Sequence, residues 1–454
     1  MNAFAPGPRG HMLFGCSERF RNEPLALLNE CRQRYGTLVR LPVGFGASFC
    51  LAFDPADLDT IFQGENFGRS DIAAAFGPLA GGSMIIADGQ KWKEQRKAVI
   101  PSFALPRLRA LAQNVDALAH ERVADWANRV DHNGDIDLQH EMVDYAMDVL
   151  THFLFGHRIG AQAIARISHG WTLSLRYMNI RLSSPVPLPD WLPTPNNRRL
   201  HTAAGQIATV LLEIIAQHRS SSPASAGGFL DDLINYRDEQ GQALDDQHIL
   251  REIMGVFLAG FDTVASAMMW TLGDLAKHPG WQQAVRDELN SVATSSRLDL
   301  KDTPVLEQCF NESMRLSPPL WLIDRKAAQP CILGGQRVPG GTNIIMSPWV
   351  THRDPSFWER PLDYHPEHFA ATAPSRPKYA FFPFGGGRMK CIGIGLAHLQ
   401  LKSLLRQVLT HYELNVRPEH LPEIEPAFVL RTRNGLKTSL TRRVANGEST
   451  AVAI

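Results

Sequence analysis

The sequence predicts a mainly α-helical fold with a small β region near its start. Amphipathic patterns dominate residues 100–330, where apolar side chains recur every three or four positions. Alternating apolar residues at 37–42 and 47–53 predict two strands joined by a glycine-containing turn. A third observation is the long apolar segment 245–278, which predicts one helix that crosses the interior.

Length and composition are those of a globular protein with a large core. The chain has 454 residues, of which 44% are hydrophobic and 20% are charged. Its length would allow about three domains, but no break in composition divides it. We therefore expect a single domain over 1–454, with a mixed, β-containing part at about 1–70 and a helix-rich remainder. The residues 446–454 are predicted to be a frayed tail.

Charge and cysteine usage exclude several classes of protein. Lys+Arg and Asp+Glu both count 46, so nothing indicates a nucleic-acid partner. The six cysteines are scattered without short spacings, which excludes a disulfide framework and a zinc ribbon. We see no basic stretch followed by an apolar signal at the N-terminus, and no apolar run of membrane-spanning length. The expectation is a cytoplasmic, monomeric protein without a membrane span.

Local signals give the order of elements. A helix is predicted over 23–35, ending before a glycine, and precedes the two strands. The proline-rich stretch 183–195 and the Ser/Gly-rich stretch 220–228 interrupt the helical region. Short strands are predicted around the glycines at 334–335 and 340–341.

The long apolar segment carries an unusual polar insertion. It begins at plausible capping acids, Asp245 and its neighbour, stops at Pro279, and spans about 50 Å as a helix. Gly260, Asp262 and Thr263 interrupt its apolar run. One interpretation is a tolerated kink whose carboxylate pairs with a distant arginine. The other is a place where a ligand presses against the backbone beside an acid–alcohol pair, and this segment alone leaves both open.

A glycine-rich loop near the C-terminus ends in a cysteine. The sequence Phe384-Gly-Gly-Gly-Arg-Met-Lys-Cys391-Ile-Gly393 precedes an apolar, helix-prone run. A cysteine has an ordinary pKa of roughly 8.5, so a thiolate needs backbone N–H groups or a helix N-terminus to stabilise it. Such a sulfur is a good axial ligand for haem iron. The alternatives are a small buried side chain or a flexible turn. A phosphate-binding loop is excluded because no Gly-Lys-Ser/Thr follows.

Four further signatures occur between these features, and each is weak alone. An i, i+3 Glu–Arg pair is usually a solvated helix pair, and a Trp–Arg pair is usually packing with a cation–π contact. The signatures are Trp92 with Arg96, Glu312 with Arg315, Arg325 after Pro318-Pro319, and the segment Pro361-Leu-Asp-Tyr-His-Pro-Glu-His-Phe369.

Taken together and in this order, these motifs resemble the cytochrome P-450 family, the haem-thiolate monooxygenases. The resemblance covers about 22–433 and is most specific at the cysteine loop. It implies the cytochrome P-450 fold of a soluble bacterial-type member, with haem b (iron protoporphyrin IX) between the long central helix and that loop. Cys391 would be the axial ligand of the iron, Phe384 would shield the sulfur, and Gly387 would allow the tight turn. Glu312 and Arg315 would form a structural clamp that holds the segment 363–369.

The resemblance also assigns the haem propionates and shows two departures. Trp92, Arg96 and Arg325 would bind the propionates. Members usually carry Arg or His two residues before the cysteine, where this chain has Met389. Either Arg388 takes over that contact, or the contact is missing. The second departure is His368, which stands where the family often has arginine.

On the oxygen side of the haem, the resemblance places Ala259 and Gly260. Thr263 would hydrogen-bond the iron-bound oxygen, and Asp262 would help to deliver protons. The implied activity inserts one atom of O₂ into a C–H bond or an alkene. A haem-thiolate peroxygenase or isomerase that does not use O₂, a non-catalytic haem sensor and a helical scaffold without cofactor stay open as alternatives.

The implied partners are a lipophilic substrate and separate electron carriers, either a ferredoxin with its reductase or a flavodoxin. Fatty acids, terpenoids, steroids and polyketides all stay open, and a role in secondary metabolism is expected. The predicted basic docking face comprises Lys91, Lys93, Lys97, Arg388 and Lys390, although such a face is also typical of ordinary solvated surface. The predicted substrate pocket comprises Phe76, Met84, Ile85, Phe257, Trp321, Leu322 and Phe428.

Overall fold

The computed structural model describes residues 5–130, 134–182, 191–220, 227–292 and 302–443. Helices dominate this part of the chain. In chain order they are α1 Ser17–Asn22, α2 Pro24–Tyr35, α3 Pro55–Gln63, α4 Gly77–Ala80, α5 Gly89–Val99, α6 Leu105–Arg129, α7 Leu138–Phe155, α8 Ala161–Leu182, α9 Pro195–Ser220, α10 Phe229–Asn235, α11 Asp246–Gly260, α12 Asp262–Lys277, α13 Pro279–Ser291, α14 Pro304–Leu316, α15 Pro348–Thr351 and α16 Ile394–His411.

Short strands form four small sheets beside the helices. The strands are β1 Leu38–Gly44, β2 Ala47–Ala52, β3 Phe67–Gly68, β4 Asp135–Asp137, β5 Ile323–Ala327, β6 Cys331–Leu333, β7 Gln336–Val338, β8 Asn343–Met346, β9 Tyr412–Asn415, β10 Ile424–Pro426, β11 Leu430–Thr432 and β12 Lys437–Arg442. The largest sheet has the order β1-β2-β8-β5-β3, with β2 and β8 parallel and the other pairs antiparallel.

The β region is not confined to the N-terminal part of the chain. The predicted hairpin is confirmed, with Leu38 opposite Ala52. However, two of the five strands in its sheet, β5 and β8, come from 323–346. A two-stranded hairpin is marginally stable alone, so strands from a distant segment complete it. The sheet thus combines the predicted N-terminal hairpin with strands from the last third of the chain.

The predicted long helix is present with one interruption. Its two halves, α11 and α12, cover 246–260 and 262–277, and Phe261 lies between them. By length and hydropathy, this element could span a membrane, and 72% of its most apolar stretch is buried. Core helices of globular proteins pass the same test when they are mostly buried.

The core forms around this helix. One large apolar cluster joins residues of α5, α6, α7, α11, α12 and α16, and two smaller clusters pack on opposite faces of the five-stranded sheet. The loop that carries Cys391 packs on the large cluster through Phe384, Met389 and Ile392. The long helix and the cysteine loop thus share one core. Most of the predicted proline-rich interruption, at 183–190, and the predicted tail lie outside the described residues.

Candidate functional site

The cysteine sits at the end of a tight loop, just before a helix. The Cys391 N–H donates to the Phe384 carbonyl at 3.0 Å, and the Lys390 N–H donates to the Gly387 carbonyl at 3.2 Å. Helix α16 begins three residues after the sulfur-bearing residue, with Gly393 as its N-cap. The loop therefore holds the sulfur near free N–H groups of the first helical turn.

Two glycines allow this loop to lie against α3. Gly387 has a φ of 61°, and a Cβ there would lie 1.9 Å from the Phe62 carbonyl oxygen. A Cβ at Gly386 would lie 2.4 Å from Cε1 of Tyr379. No side chain fits at either position without moving the backbone, so the glycine run is required by packing as well as by conformation.

The electrostatics of Cys391 favour a metal partner. The sulfur is accessible to a water-sized probe, yet the surrounding protein desolvates it and raises the pKa of the thiol. The Gly393 N–H, Arg96 and Lys390 each lower that pKa, but together they do not reverse the rise. A cation bound directly to the sulfur would hold it as thiolate, because metal coordination deprotonates a thiol outright. The donor is therefore suited to a metal ion.

The break in the long helix exposes its backbone to an interior space. The Thr263 hydroxyl donates to the Ala259 carbonyl at 2.7 Å, across Phe261. A hydroxyl bond to the carbonyl four residues back often accompanies a bend in a helix. Ala259, Gly260, Asp262 and Thr263 are each partly exposed, although the residues around them are buried. The predicted acid–alcohol pair thus borders a space inside the core.

Two residues at this break, Gly260 and Asp262, also interact with other parts of the chain. A Cβ at Gly260 would lie 3.1 Å from Cδ1 of Leu150, so this glycine also allows α7 to approach. Burial raises the pKa of Asp262, and Arg431 partly offsets the rise. Arg431 itself pairs with Glu425 at 2.8 Å. The Asp262 carboxyl therefore holds a proton more readily than an exposed aspartate does.

Two of the arginines proposed for the propionates, Arg96 and Arg388, lie beside the ring of Trp92. Trp92 is buried in α5, and the guanidiniums of Arg96 and Arg388 lie 5.3 and 5.9 Å from the centre of its ring. Arg96 donates to the Lys390 carbonyl at 3.1 Å, and Arg388 donates to the Phe67 carbonyl at 3.2 Å. Arg325 is buried, and burial lowers the pKa of its guanidinium to about 10.

The sequence analysis missed a fourth arginine of this cluster, Arg69. Burial lowers the pKa of Arg69, the charges of Arg96 and Arg388 lower it further, and those of Asp324 and Asp88 partly offset them. Among the described residues, its buried Nε has no hydrogen-bond partner. Arg69 belongs to no sequence motif. The one local feature that could have drawn attention to it is that it directly follows the short strand β3.

This cluster fits an anionic group. Four guanidiniums interact electrostatically, and the carboxylates that act on them belong to Asp88 and Asp324. Asp88 is also an acceptor for the Arg69 and Gly89 N–H groups, and Asp324 is an acceptor for the Ser70 hydroxyl. The excess of positive charge and the unpaired Nε favour a ligand with carboxylates, such as the two propionates of haem.

The Glu312–Arg315 pair is completely buried and binds three backbone carbonyls of the distant stretch 352–363. Arg315 donates twice to the Glu312 carboxylate, at 2.7 Å each. Its remaining N–H groups donate to the carbonyls of His352, Pro361 and Asp363, at 2.7–2.9 Å. The structure thus places the pair against the segment that the sequence analysis assigned to it.

His368 completes the clamp from the other side. Its Nδ1 lies 3.1 Å from the Glu312 carboxylate, and its Nε2 lies 2.7 Å from the Glu359 carbonyl. The His365 N–H also donates to Glu312, at 2.8 Å. Histidine therefore bridges the same carboxylate and a neighbouring carbonyl in the place where the family often has arginine.

The predicted pocket residues separate into two groups. Phe76 and Phe428 are partly buried, with ring centres 5.1 Å apart, and Met84 and Ile85 lie on the same large core. Phe257 belongs to that core but is fully buried, 6.1 Å from the Trp171 ring of α8. Trp321 and Leu322 instead pack in the N-terminal cluster. Phe76, Ile85 and Phe428 are therefore the members of the predicted pocket that are partly exposed on the large core.

The members of the predicted basic face differ in their partners. Lys91, Lys93 and Lys390 are exposed. Lys97 pairs with Glu239 at 2.9 Å, and Arg388 is directed to the Phe67 carbonyl. Three lysines beside the cysteine loop therefore carry the positive charge of this surface.

The fold and this site define a class of protein. A cysteine loop before a helix, an arginine cluster for an anionic group and a broken core helix with an acid–alcohol pair are the parts of a haem-thiolate protein.

Comparisons with known proteins agree. The family model described as Cytochrome P450 matches residues 5–438. Cyclooctatin synthase of Streptomyces melanosporofaciens is 30% identical over 324 residues, which cover 70% of this chain and 69% of that protein. Among solved structures, the cytochrome P450DA heme domain has a TM-score of 0.86 at 18% identity, covering 98% of this chain and 99% of that one. The retinoic acid-bound cyanobacterial CYP120A1 has a TM-score of 0.84 at 21% identity, covering 98% and 100%.

The chain therefore belongs to the cytochrome P450 family. It is a haem-thiolate monooxygenase, an oxidoreductase whose cofactor is haem b with a cysteine thiolate ligand.

Proposed function

We propose that this enzyme inserts one oxygen atom of O₂ into a C–H bond or an alkene of a lipophilic small molecule, with electrons from separate carrier proteins. The observation that carries the proposal is the combination of the Cys391 loop with the Asp262–Thr263 pair at the helix break. The cysteine provides the ligand, and bound haem supplies the activation of O₂. Activation of O₂ takes up two electrons and two protons, whereas hydrogen peroxide already carries both protons, so a pair that delivers protons favours O₂ chemistry.

Each residue of the break has a distinct task in this proposal. Asp262 takes up a proton from the solvent side, because burial raises the pKa of its carboxyl. Thr263 passes the proton inward or positions a water molecule that does so. The Thr263 hydroxyl donates its proton in a hydrogen bond to the Ala259 carbonyl, at 2.7 Å between the two oxygens. The lone pairs of the hydroxyl oxygen are therefore available to accept a hydrogen bond.

Four arginines and one tryptophan position the cofactor in this proposal. Trp92, Arg96 and Arg325 bind the propionates, and Arg388 replaces the contact that Met389 cannot make. Arg69 joins them, since its Nε is unpaired among the described residues. Phe384 shields the sulfur, with its ring centre 5.9 Å from that of His398.

The substrate class is supported by the lining of the interior space. Phe76, Ile85 and Phe428 are partly buried and apolar, which favours a lipophilic substrate. Retinoic acid, which the cyanobacterial relative binds, is a molecule of this class.

We propose that the electron carrier is an acidic ferredoxin or a flavodoxin. The exposed Lys91, Lys93 and Lys390 lie on α5 and the cysteine loop, beside the proximal face. A cytoplasmic location is part of the proposal, because none of the six cysteines, all of which lie in the described residues, forms a disulfide, as expected in a reducing compartment.

The first experiment tests the ligand. Dithionite and carbon monoxide are added to the purified, haem-loaded protein, and the absorption spectrum is recorded. We expect the red-shifted band of a thiolate complex, and its loss in Cys391→Ser. Cys309→Ser is the matched control, since Cys309 is buried in α14. Haem binding without a thiolate band would overturn the proposal.

The second experiment tests the reaction. A panel of fatty acids, terpenoids and steroids is screened for shifts of the Soret band, and ligands that shift it are incubated with NADPH, a ferredoxin and its reductase. We expect oxygenated product that carries label from ¹⁸O₂. Product from hydrogen peroxide alone, with none from O₂, would establish the peroxygenase alternative instead.

A further inference from the structure

A short loop between α4 and α5 lies directly on the long helix. Residues 82–87 form a tight turn in which the Ile86 and Ala87 N–H groups donate to the Ser83 carbonyl, at 3.1 and 2.9 Å. Ser83 is fully buried, and Met84 is 4% exposed. Ile85 is partly buried on the large core, beside the space proposed for the substrate.

A buried carboxylate of the long helix fixes this loop. Glu252 of α11 is 2% exposed, and its two oxygens lie 3.1 and 3.2 Å from the Met84 nitrogen. His248, one turn earlier, has its Nε2 3.7 Å from the same carboxylate. A buried carboxylate with so few partners is costly compared with an apolar side chain. Ile249, Ile253 and Val256 around it show that leucine would suit this face of the helix.

A second polar contact joins the loop to the helix that carries Trp92 and Arg96. Gln95 of α5 is buried, and its Nε2 donates to the Gly82 carbonyl at 2.5 Å. The loop is therefore fixed on one side to α5 and on the other to α11. Any displacement of the loop breaks a buried hydrogen bond to one of these helices.

Glycine on the long helix lets the loop come close. A Cβ at Gly255 would lie 2.6 Å from Oγ of Ser83, 2.8 Å from its Cβ and 3.3 Å from Cγ1 of Ile85. These contacts are too short for any side chain, so the loop and helix touch through the glycine. Gly255 and Glu252 lie about one turn apart on the helix. Glu252 binds Met84, and Gly255 contacts Ser83 and Ile85 on either side of it.

We propose that Glu252 is a positioning residue that latches the 82–87 loop onto the long helix and thereby sets the size of ligand that the active site accepts. The proposal rests on the proposed function, because it takes Ile85 as part of the substrate pocket. The Met84 N–H and the Glu252 carboxylate hold the loop in place, and Ile85 then presents a fixed apolar wall. Without the carboxylate, a ligand that touches this wall must order the loop on binding.

The test uses two azole probes that bind haem iron through nitrogen, imidazole and the larger 4-phenylimidazole. Their dissociation constants are measured from the Soret shift of the haem-loaded enzyme. In Glu252→Leu, we expect 4-phenylimidazole to bind about tenfold more weakly and imidazole to change less than about twofold. Glu252→Gln keeps an acceptor for the Met84 N–H and should restore the parent values. Glu213→Leu is the control, because Glu213 is 59% exposed on α9.

A second variant and a second measurement keep the proposal testable if Glu252→Leu does not fold. Gly255→Ala displaces Ser83 without changing any charge, and the same selective loss is expected. Hydrogen–deuterium exchange of the peptide containing Met84 should be faster in both variants than in the parent. Equal weakening of both azoles, or unchanged exchange at Met84, would overturn the latch. A parent without a thiolate band would instead overturn the proposed function, and the exchange data would still report on the latch.

Discussion

The clamp around Arg315 allows a stability prediction that can be worked from individual hydrogen bonds. Arg315 is fully buried and makes five hydrogen bonds, two to Glu312 and three to backbone carbonyls. Lysine in its place keeps the positive charge but has three N–H donors on one atom. Arg315→Lys therefore leaves at least two of the five acceptors without a partner.

The size of the effect follows from the cost of those orphaned acceptors. Each unsatisfied buried acceptor costs about 1–3 kcal/mol, so the substitution should destabilise the protein by about 3 kcal/mol or more. This is a large part of the total stability of a folded protein, which is typically about 5–15 kcal/mol. With a urea dependence of about 3 kcal/mol per molar, the unfolding midpoint should fall by about 1 M.

The assay is urea unfolding of the haem-loaded protein, followed by far-ultraviolet circular dichroism and by the Soret band. Arg360→Lys is the matched control, because Arg360 makes an exposed ion pair with Asp363 at 2.9 Å, on the segment that Arg315 clamps. Such a surface pair contributes less than about 1 kcal/mol to the stability of the protein, so the unfolding midpoint of Arg360→Lys should hardly change. If Arg315→Lys and Arg360→Lys shifted the midpoint equally, the reasoning from buried hydrogen bonds would be wrong.

Three further predictions concern the active site. Thr263→Ala should release more peroxide per electron consumed, whereas Thr271→Ala, which removes an equivalent 2.7 Å hydroxyl–carbonyl bond from the same helix, should not; equal peroxide release from both would contradict the proton role. Burial raises the pKa of Asp262, so the ionised carboxylate destabilises the folded state, and Asp262→Asn should raise the melting temperature near pH 7. Near pH 3 the carboxyl is protonated in both the folded and the unfolded state, so the substitution should not raise the melting temperature there. Arg69→Met should increase the rate of haem loss to apomyoglobin at least about tenfold, as expected for a lost charge-assisted contact, and an unchanged rate would remove Arg69 from the site.

Much of this architecture was predictable where the signal is local. The helix predicted at 23–35 is α2, and the two predicted strands form the β1–β2 hairpin. The long helix was predicted to within one residue at each end. In each case, periodicity and capping residues report what a segment does with its own neighbours, and no distant partner decides the outcome.

Other features depend on partners that the local sequence does not reveal. The hairpin joins β5 and β8, which lie about 270 residues further along the chain. Arg315 donates to the backbone carbonyls of His352, Pro361 and Asp363. Every residue has a backbone carbonyl, so the sequence does not show which ones bind the arginine. Arg69 stands in no motif, and only the packing of four separate segments brings it to Arg96, Arg325 and Arg388.

The arginine cluster also explains how the loop tolerates Met389. Its apolar side chain packs on the large core, so it adds contact area where the family usually places a charge. The charge has moved one position, to Arg388, whose guanidinium lies over the Trp92 ring and lowers the pKa of Arg69. An anionic ligand responds to the summed positive potential of such a cluster rather than to one fixed position. In the proposed function, the number of guanidiniums that reach the anion therefore matters more than their exact positions, so no charge is required at position 389.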